Sequence, residues 1–128
     1  MKKVNYGNIQ IPGVYSHFKR DDTDTSNMYE YCVIGISKPT LANIFDEMNE
    51  MSYLMAKNTI DNNTIFISHM KDDNRYYVHN KSIYDGAMVV YRAIYDNRLY
   101  VRPAKEWFTN VENREDNHSG QKTRFELI

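Results

Sequence analysis

Residues 88–108, MVVYRAIYDNRLYVRPAKEWF, decide the fold that this sequence predicts. Valine, isoleucine and tyrosine are frequent in residues 88–95, and these residue types favour the half-buried surface of a β-strand. Asp96 and Asn97 both tolerate the positive φ angles of a two-residue turn. The stretch therefore predicts a β-hairpin, and Pro103 ends its return strand because proline has no amide hydrogen to donate.

A two-residue turn also determines which residues of the hairpin face each other. It predicts that Tyr91 lies opposite Arg102 and that Ala93 lies opposite Tyr100. One face, expected to be core, collects Met88, Val90, Ile94, Leu99 and Val101, with Arg92 among them. The other face collects Tyr91, Ala93, Tyr95, Arg98, Tyr100 and Arg102.

The second face alternates tyrosines with arginines and is the most suggestive surface of the sequence. Planar rings stack on bases or on other rings, and guanidinium groups bind phosphate or carboxylate in a bidentate manner. A half-exposed sheet face, on which tyrosines cover the strands and arginines keep them soluble, explains the same pattern. Both interpretations stay open on the sequence alone.

The composition limits the class of protein. The chain has 128 residues, a hydrophobic content of 41% and a formal net charge of -1. We therefore expect one domain over residues 1–128 with a modest core, and the charge balance disfavours a dedicated nucleic-acid-binding protein. No signal peptide or long apolar run is recognisable, which predicts a cytoplasmic protein without membrane association. The abundance of Asn, Asp, Lys and Tyr suggests an AT-rich bacterial or phage genome.

Alternating apolar residues predict further strands before and after the hairpin. Residues 14–19 alternate, and residues 28–37 form a strong strand in which Gly35 permits a bend or a close backbone approach. Cys32 lies in this apolar strand and is interpreted as a buried structural thiol. Residues 123–128 form a short last strand.

Residues 38–86 are interpreted as an insertion that begins with an amphipathic helix. Thr40 is a suitable N-cap, and the pattern ends near Asn58, which can adopt a left-handed cap. Its apolar stripe is Leu41, Ile44, Met48, Met51 and Met55. The stripe packs either on the chain's own sheet or on a partner, and in the second case Met48, Met51 and Met55 form the interface of a homo-oligomer.

An extra β-hairpin follows the helix in the same insertion. It pairs residues 64–70 with residues 75–79 around the polar turn KDDN. His69 and His79 approach each other across it, but no third ligand with suitable spacing accompanies them. The sequence therefore predicts no metal site.

Several of these segments resemble the domain-of-unknown-function family 1653. The matching motifs keep the family's order and are GVYSHFK at 13–19, MYEYCVIGI at 28–36, VVYRAIY at 89–95, LYVRP at 99–103 and RFELI at 124–128. The resemblance implies a mainly β (α+β) fold, a small SH3-like β-barrel carrying the inserted helix and extra hairpin. Ser16, Arg20 and Tyr100 depart from the family's arginine, glycine and tryptophan, and residues 38–86 replace the family's short loop.

Together the strands and the resemblance predict one groove of aromatic and basic side chains: Tyr15, His17, Lys19, Tyr91, Tyr100, Arg102, Trp107 and Arg124. No nucleophile motif, phosphate-binding glycine loop or carboxylate pair accompanies them, so we expect a non-catalytic protein without a cofactor. The leading hypothesis is a domain that binds or sequesters a nucleotide-like phosphorylated small molecule, as a phage counter-defence protein does. The alternatives are a protein–protein interaction module, using the methionine helix or the aromatic groove, and single-stranded nucleic-acid binding.

Overall fold

The computed structural model describes residues 4–20, 28–41, 53–70 and 73–128. These residues form ten strands: β1 (Val4–Tyr6), β2 (Ile9–Ile11), β3 (Gly13–His17), β4 (Glu30–Thr40), β5 (Tyr53–Asn58), β6 (Thr64–Met70), β7 (Asp73–Asn80), β8 (Met88–Ala93), β9 (Leu99–Pro103) and β10 (Phe125–Leu127). A 3₁₀ turn, Ala104–Glu106, follows β9. None of the described segments contains a helix long and apolar enough to cross a membrane.

Six of the strands close into a barrel. Their order is β4-β7-β6-β5-β9-β8, and β8 pairs with β4 to complete the ring. The β4–β7 and β5–β9 pairs are parallel, and the other pairs are antiparallel. At 11 residues β4 is long enough to pair with β3 as well, on the edge that it also offers to β7. β10 then adds to β3, and β1 and β2 form a separate hairpin.

The prediction of an inserted amphipathic helix is wrong, because the residues at both ends of the predicted helix belong to strands. Thr40 is the last residue of β4, and Tyr53–Asn58 is β5, which pairs with β6 and β9. Residues 42–52, which include Met48 and Met51, lie outside the described residues. Within the described residues there is no α-helix.

The segment 38–86 supplies β5, β6 and β7, which are half of the barrel's strands. In β5 the buried Ala56 alternates with Met55, which is 63% exposed. This alternation is that of a strand with one face turned toward a core. β5 forms main-chain hydrogen bonds on both of its edges, to β6 and β9. These bonds outweigh the helix preference that the three- and four-residue spacing of the methionines indicates, because tertiary contacts routinely override the intrinsic preference of a segment.

β8 is buried on both faces and separates two apolar cores. Met88 and Val90 belong to the barrel core, which also contains Ala56, Ile65, Ile67, Tyr77 and Val101. Val89 and Tyr91 belong to a second core, which also contains Ile9, Ile11, Tyr15, Val33, Ile36, Trp107 and Phe125. The tyrosine-bearing face of the hairpin is therefore covered by a second layer of the protein.

The β8–β9 hairpin forms as predicted, but its register differs from the prediction by two residues. Tyr91 lies opposite Tyr100, because the loop contains four residues instead of two. The Ala93 amide donates to the Arg98 carbonyl at 2.8 Å, and the Asn97 amide donates to the Ala93 carbonyl at 2.8 Å. Asn97 takes the positive φ of 63°. A shift of two residues leaves the side chains of the paired residues on their predicted faces, since strand side chains alternate with a period of two. Ile94, which was predicted to be core, lies in the loop instead and is exposed.

Gly35 marks an irregularity in β4. The register of β4 against β8 shifts between Val33 and Gly35, so Val33 and Ile36 reach the same core. A Cβ atom on Gly35 would clash with the carbonyl oxygen of Arg75 and with the ring of Tyr77. The predicted close backbone approach at Gly35 is confirmed.

Candidate functional site

A small pocket of about 150 Å³ opens beside the tyrosines of the hairpin. Its lining comprises His17, Tyr31, Thr59, Tyr91, Tyr100, Arg102 and Phe125. These residues come from β3, β4, the turn after β5, β8, β9 and β10. Hence the pocket exists only where the barrel meets its outer layer, and no single motif contains it.

Four aromatic rings form the walls of the pocket. The rings of Tyr91 and Tyr100 stack across the hairpin, with centroids 5.7 Å apart and an interplanar angle of 24°. Tyr31 meets Tyr91 edge-on at 5.4 Å, and Phe125 meets it at 5.6 Å. Tyr91 is 3% exposed, whereas Tyr31 and Tyr100 are half-buried. Tyr91 thus forms the rigid floor, and the other two tyrosines present an accessible edge.

Arg102 brings a guanidinium group to the pocket. Its Nε donates to the Tyr91 hydroxyl at 3.5 Å, and its Nη1 lies 3.8 Å from a carboxylate oxygen of Glu106. Both distances are long for a charge-assisted hydrogen bond. The side chain is 17% exposed. Since a guanidinium has five N–H donors, Arg102 retains donors for a ligand.

His17 is a neutral hydrogen-bond donor in this pocket. Its Nδ1 accepts the amide hydrogen of Lys19 at 3.1 Å, so the neutral ring carries its proton on Nε2. Burial, followed by the charges of Arg102, Arg124 and Lys19, lowers the pKa of His17 to about 3, while Asp116 acts weakly in the opposite direction. The ring is therefore uncharged at physiological pH.

The hydroxyls of Tyr31 and Tyr91 also remain protonated. Burial, and then the neighbouring Tyr91 and Tyr100, raise the pKa of Tyr31 to about 12. Burial raises the pKa of Tyr91 against the opposing charge of Arg102. Thr59 differs, because its hydroxyl donates to a main-chain carbonyl at 3.2 Å and keeps only acceptor capacity. Apart from Thr59, the polar side chains of the lining present donors.

Arg124 adds a second positive charge behind the pocket. Its Nε is buried and has no hydrogen-bond partner among the described residues. Burial, followed by the charges of Arg102 and Arg114, lowers the pKa of Arg124. Arg114 makes two hydrogen bonds to Asp116, at 2.9 and 3.0 Å, whereas the contact of Arg102 with a carboxylate, that of Glu106, is long at 3.8 Å. The positive charges of Arg102 and Arg124 are therefore only weakly balanced by carboxylates, which favours an anionic ligand in the pocket.

Four of the eight predicted groove residues line the pocket: His17, Tyr91, Tyr100 and Arg102. Tyr15 and Trp107 lie in the second core instead, where Trp107 stacks on Phe125 with ring centroids 3.8 Å apart. Trp107 is therefore not at the edge of the groove. Lys19 is exposed and lies 3.8 Å from a carboxylate oxygen of Asp116, and Arg124 lies behind the lining.

Three lining residues were absent from the predicted site: Tyr31, Thr59 and Phe125. Tyr31 and Phe125 belong to the strand motifs quoted above, so an aromatic residue at strand spacing was the available signal for both. Thr59 carries no such signal, because the predicted helix placed it in a connecting segment. Only the parallel pairing of β5 with β9 brings Thr59 to the pocket.

Of the three methionines of the predicted oligomer interface, Met55 is among the described residues. Met55 lies on the outer face of β5, opposite Phe66 of β6, while Met48 and Met51 lie outside the described residues. The part of the chain that the structure describes holds no group of three or more His, Cys, Asp or Glu residues placed to bind a metal ion.

One family model matches this chain, over residues 68–127, and its description is "Protein of unknown function (DUF1653)". No curated protein and no solved structure matches the chain. The matched segment contains Tyr91, Tyr100, Arg102 and Phe125 of the pocket, whereas the other three lining residues lie before it. Over residues 68–127, just under half of its 128 residues, the chain is therefore similar to that family of unknown function.

Proposed function

We propose that this chain is a non-catalytic binding domain for a nucleotide-like phosphorylated small molecule. The observation that supports the proposal is the chemistry of the pocket lining, which combines a guanidinium, three tyrosines and a neutral histidine with no carboxylate. Guanidinium groups bind phosphate, and aromatic rings stack on planar groups. The same lining disfavours a cationic ligand, because its charge is positive.

The size of the pocket determines how such a ligand would bind. Pockets that enclose a whole drug-sized ligand measure roughly 300–1,000 Å³. This one measures about 150 Å³, so only part of a nucleotide enters it. The planar part would stay outside, against the accessible edges of Tyr31 and Tyr100.

The protonation states of the lining support binding without catalysis. A histidine with a pKa of about 3 is a poor general base at neutral pH, because efficient proton transfer requires a pKa near the working pH. A tyrosine with a pKa of about 12 stays protonated. The Thr59 hydroxyl already donates to the Val101 carbonyl, so the described lining residues include no activated nucleophile. Sequestration is the activity that these groups support.

Calorimetry of the full chain tests the proposal. The titrants are nucleoside monophosphates, diphosphates and triphosphates together with cyclic nucleotides. We expect at least one of them to bind, and we expect Arg102→Ala to weaken that binding by about tenfold or more. Arg98→Ala is the matched control, because the Arg98 side chain is 73% exposed in the hairpin turn and makes no contact with the pocket. The absence of heat with every titrant would refute the proposal.

Tyr91 requires a conservative change in the same experiment. Its ring belongs to the second core, so Tyr91→Ala would create a cavity and destabilise the fold. Tyr91→Phe keeps the ring and removes only the hydroxyl that accepts from Arg102. We expect weaker binding with an unchanged circular dichroism spectrum, whereas unchanged affinity would exclude a role for the hydroxyl.

A second candidate function is protein–protein interaction through the outer face of β5 and β6. Met55 and Phe66 lie directly opposite each other there and are 63% and 38% exposed. Exposed adjacent apolar side chains are frequent at interaction surfaces. Light scattering on the wild type and on Met55→Glu tests this function, with Lys57→Glu as the control on the same exposed face. Self-association that only Met55→Glu abolishes would support it, and a monomeric wild type would exclude self-association.

A further inference from the structure

The volume of the pocket corresponds to a single small group. The pocket measures about 150 Å³, which is about half the volume of the smallest pockets that enclose a whole drug-sized ligand, roughly 300 Å³. A whole nucleotide is therefore too large for it, whereas a terminal phosphate group is not. The pocket therefore selects one terminal group of a ligand.

The donors around this volume suit an oxyanion. The Nε2–H of His17 has no hydrogen-bond partner among the described residues, and its Nδ1 already accepts the amide hydrogen of Lys19. Arg102 keeps N–H groups beyond its long contacts to Tyr91 and Glu106. The hydroxyls of the three lining tyrosines add up to three further donors. Such a lining satisfies several oxygen atoms at once and offers little to a cation or an amide N–H.

The charges around the pocket suit a dianion better than a monoanion. The charged groups that act on His17 and Arg124 are Lys19, Arg102, Arg114, Arg124, Glu106 and Asp116. Four of these are cations and two are carboxylates, which leaves two positive charges in excess. A terminal phosphate monoester carries nearly two negative charges at neutral pH, whereas a phosphate diester carries one.

We propose that the pocket formed by His17, Tyr31, Tyr91, Tyr100 and Arg102 binds one tetrahedral oxyanion, the dianionic terminal phosphate monoester of the ligand, and that the rest of the ligand remains outside. The inference deepens the proposed function and rests on it. It predicts that the pocket discriminates a phosphate monoester from a cyclic phosphate diester of the same nucleoside. Inorganic phosphate alone is then expected to occupy the same pocket and to compete.

The first experiment compares a nucleoside 5′-monophosphate with the 3′,5′-cyclic monophosphate of the same nucleoside by calorimetry, with inorganic phosphate as competitor. We expect the monoester to bind about tenfold tighter or more, because the diester loses one negative charge and one free oxygen. Equal affinity, or tighter binding of the cyclic form, overturns this inference and leaves the proposed function standing. Failure of both nucleotides and of every other phosphorylated titrant overturns the two together.

The second experiment uses pH to identify the charge that is bound. His17, with a pKa of about 3, and Tyr31, with a pKa of about 12, keep their protonation states between about pH 5.5 and pH 8. A phosphate monoester releases its second proton near pH 6. The affinity for the monoester should therefore rise several-fold across this range, while the affinity for sulfate should not change. If the affinity for the monoester is independent of pH, the inference that the pocket binds the dianion is overturned.

Two tyrosine variants make the test specific to the pocket. Tyr100→Phe keeps the stacked ring and removes one hydrogen-bond donor. It should therefore lower the affinity for inorganic phosphate and for the monoester by about three- to tenfold. Tyr95→Phe is the control, since Tyr95 is exposed in the hairpin turn. Thermal unfolding shows whether each variant retains its fold. Equal loss in both variants, or no loss in Tyr100→Phe, overturns the assignment of the pocket.

Discussion

Acidification is predicted to destabilise this fold through His17. The ring is packed against Phe18 at 4.6 Å and against Phe125 at 5.0 Å, and its pKa falls from an ordinary value of 6.5 to about 3. Between these two values the unfolded chain binds a proton that the native protein does not bind. The free energy of unfolding must therefore decrease as the pH falls through this window, and it is unaffected by His17 above it.

The size of the effect follows from the two pKa values. At about pH 5 the free energy of unfolding is lower by about 2 kcal/mol than at about pH 8. Within the window between the two pKa values it decreases by up to about 1.4 kcal/mol for each unit by which the pH falls. His79 adds to it with the same sign, because burial lowers its pKa as well. Its Nδ1 lies 2.6 Å from the Ser37 hydroxyl and its Nε2 lies 3.0 Å from the Tyr84 carbonyl. His17 and His79 are thus both harder to protonate in the native state than in the unfolded chain.

Urea unfolding at several pH values separates the two contributions. His17→Asn is the informative variant, because an asparagine oxygen can still accept the Lys19 amide two residues on, and asparagine does not titrate. We expect it to be less stable at about pH 8 yet to lose about 2 kcal/mol less than the wild type on acidification to about pH 5. His118→Asn, at an exposed loop position, should keep the wild-type pH dependence. Identical pH profiles for the wild type and His17→Asn would refute the reasoning.

Three further predictions concern stability measured by urea unfolding. Gly35→Ala should cost about 2 kcal/mol or more, because its Cβ meets the main chain of Arg75, whereas Gly86→Ala should cost less because its Cβ meets only a tyrosine side chain that can rotate. Equal losses would contradict this account of Gly35. Asn97→Gly should be neutral or stabilising and Asn97→Ala should cost about 1 kcal/mol, since the residue has a φ of 63°. A loss in the glycine variant would show that the asparagine side chain matters more. Gln121→Ala should cost about 2–3 kcal/mol, because its amide accepts from two side chains at 2.7 Å and donates to two carbonyls. A loss below about 0.5 kcal/mol would mean that water replaces these bonds.

The hairpin illustrates how far local chemistry reaches. Its strands and the composition of its faces follow from residue types and from the period of two along a strand. Its register does not, because the polar pair Asp96-Asn97 is compatible with a loop of two residues or of four. The hydrogen bonds of the folded turn, with Ala93 as donor and acceptor, select the longer loop.

The segment 38–86 illustrates a competition between two periodicities. A helix is predicted from apolar residues three and four apart, but in β5 the same chain alternates between a buried and an exposed face. β5 has hydrogen-bonded neighbours on both sides, β6 and β9, which are distant in sequence. A local sequence pattern contains no information about such distant partners, and for this reason the helix prediction failed. The strand predicted at 64–70 was confirmed, and the one predicted at 28–37 forms over Glu30–Thr40.

The candidate site was likewise predicted only in part from local sequence. His17, Tyr91, Tyr100 and Arg102 were predicted because tyrosine, arginine and histidine at strand spacing have recognisable chemistry. Burial decided the other positions, since the rings of Tyr15 and Trp107 pack in the second core, whereas Tyr31, Thr59 and Phe125 line the pocket.

By itself the sequence determined the strand character of the central hairpin, the segregation of its two faces and the aromatic and basic chemistry of one of them. Only the tertiary structure decided that this face lies beneath a second layer, that its opening is a pocket of about 150 Å³, and that Tyr31, Thr59 and Phe125 complete the lining. The physical reason is that residue type and alternation act over a few neighbouring residues. Closure of a barrel, burial and the pKa shifts they cause depend on contacts between strands that are far apart in the chain.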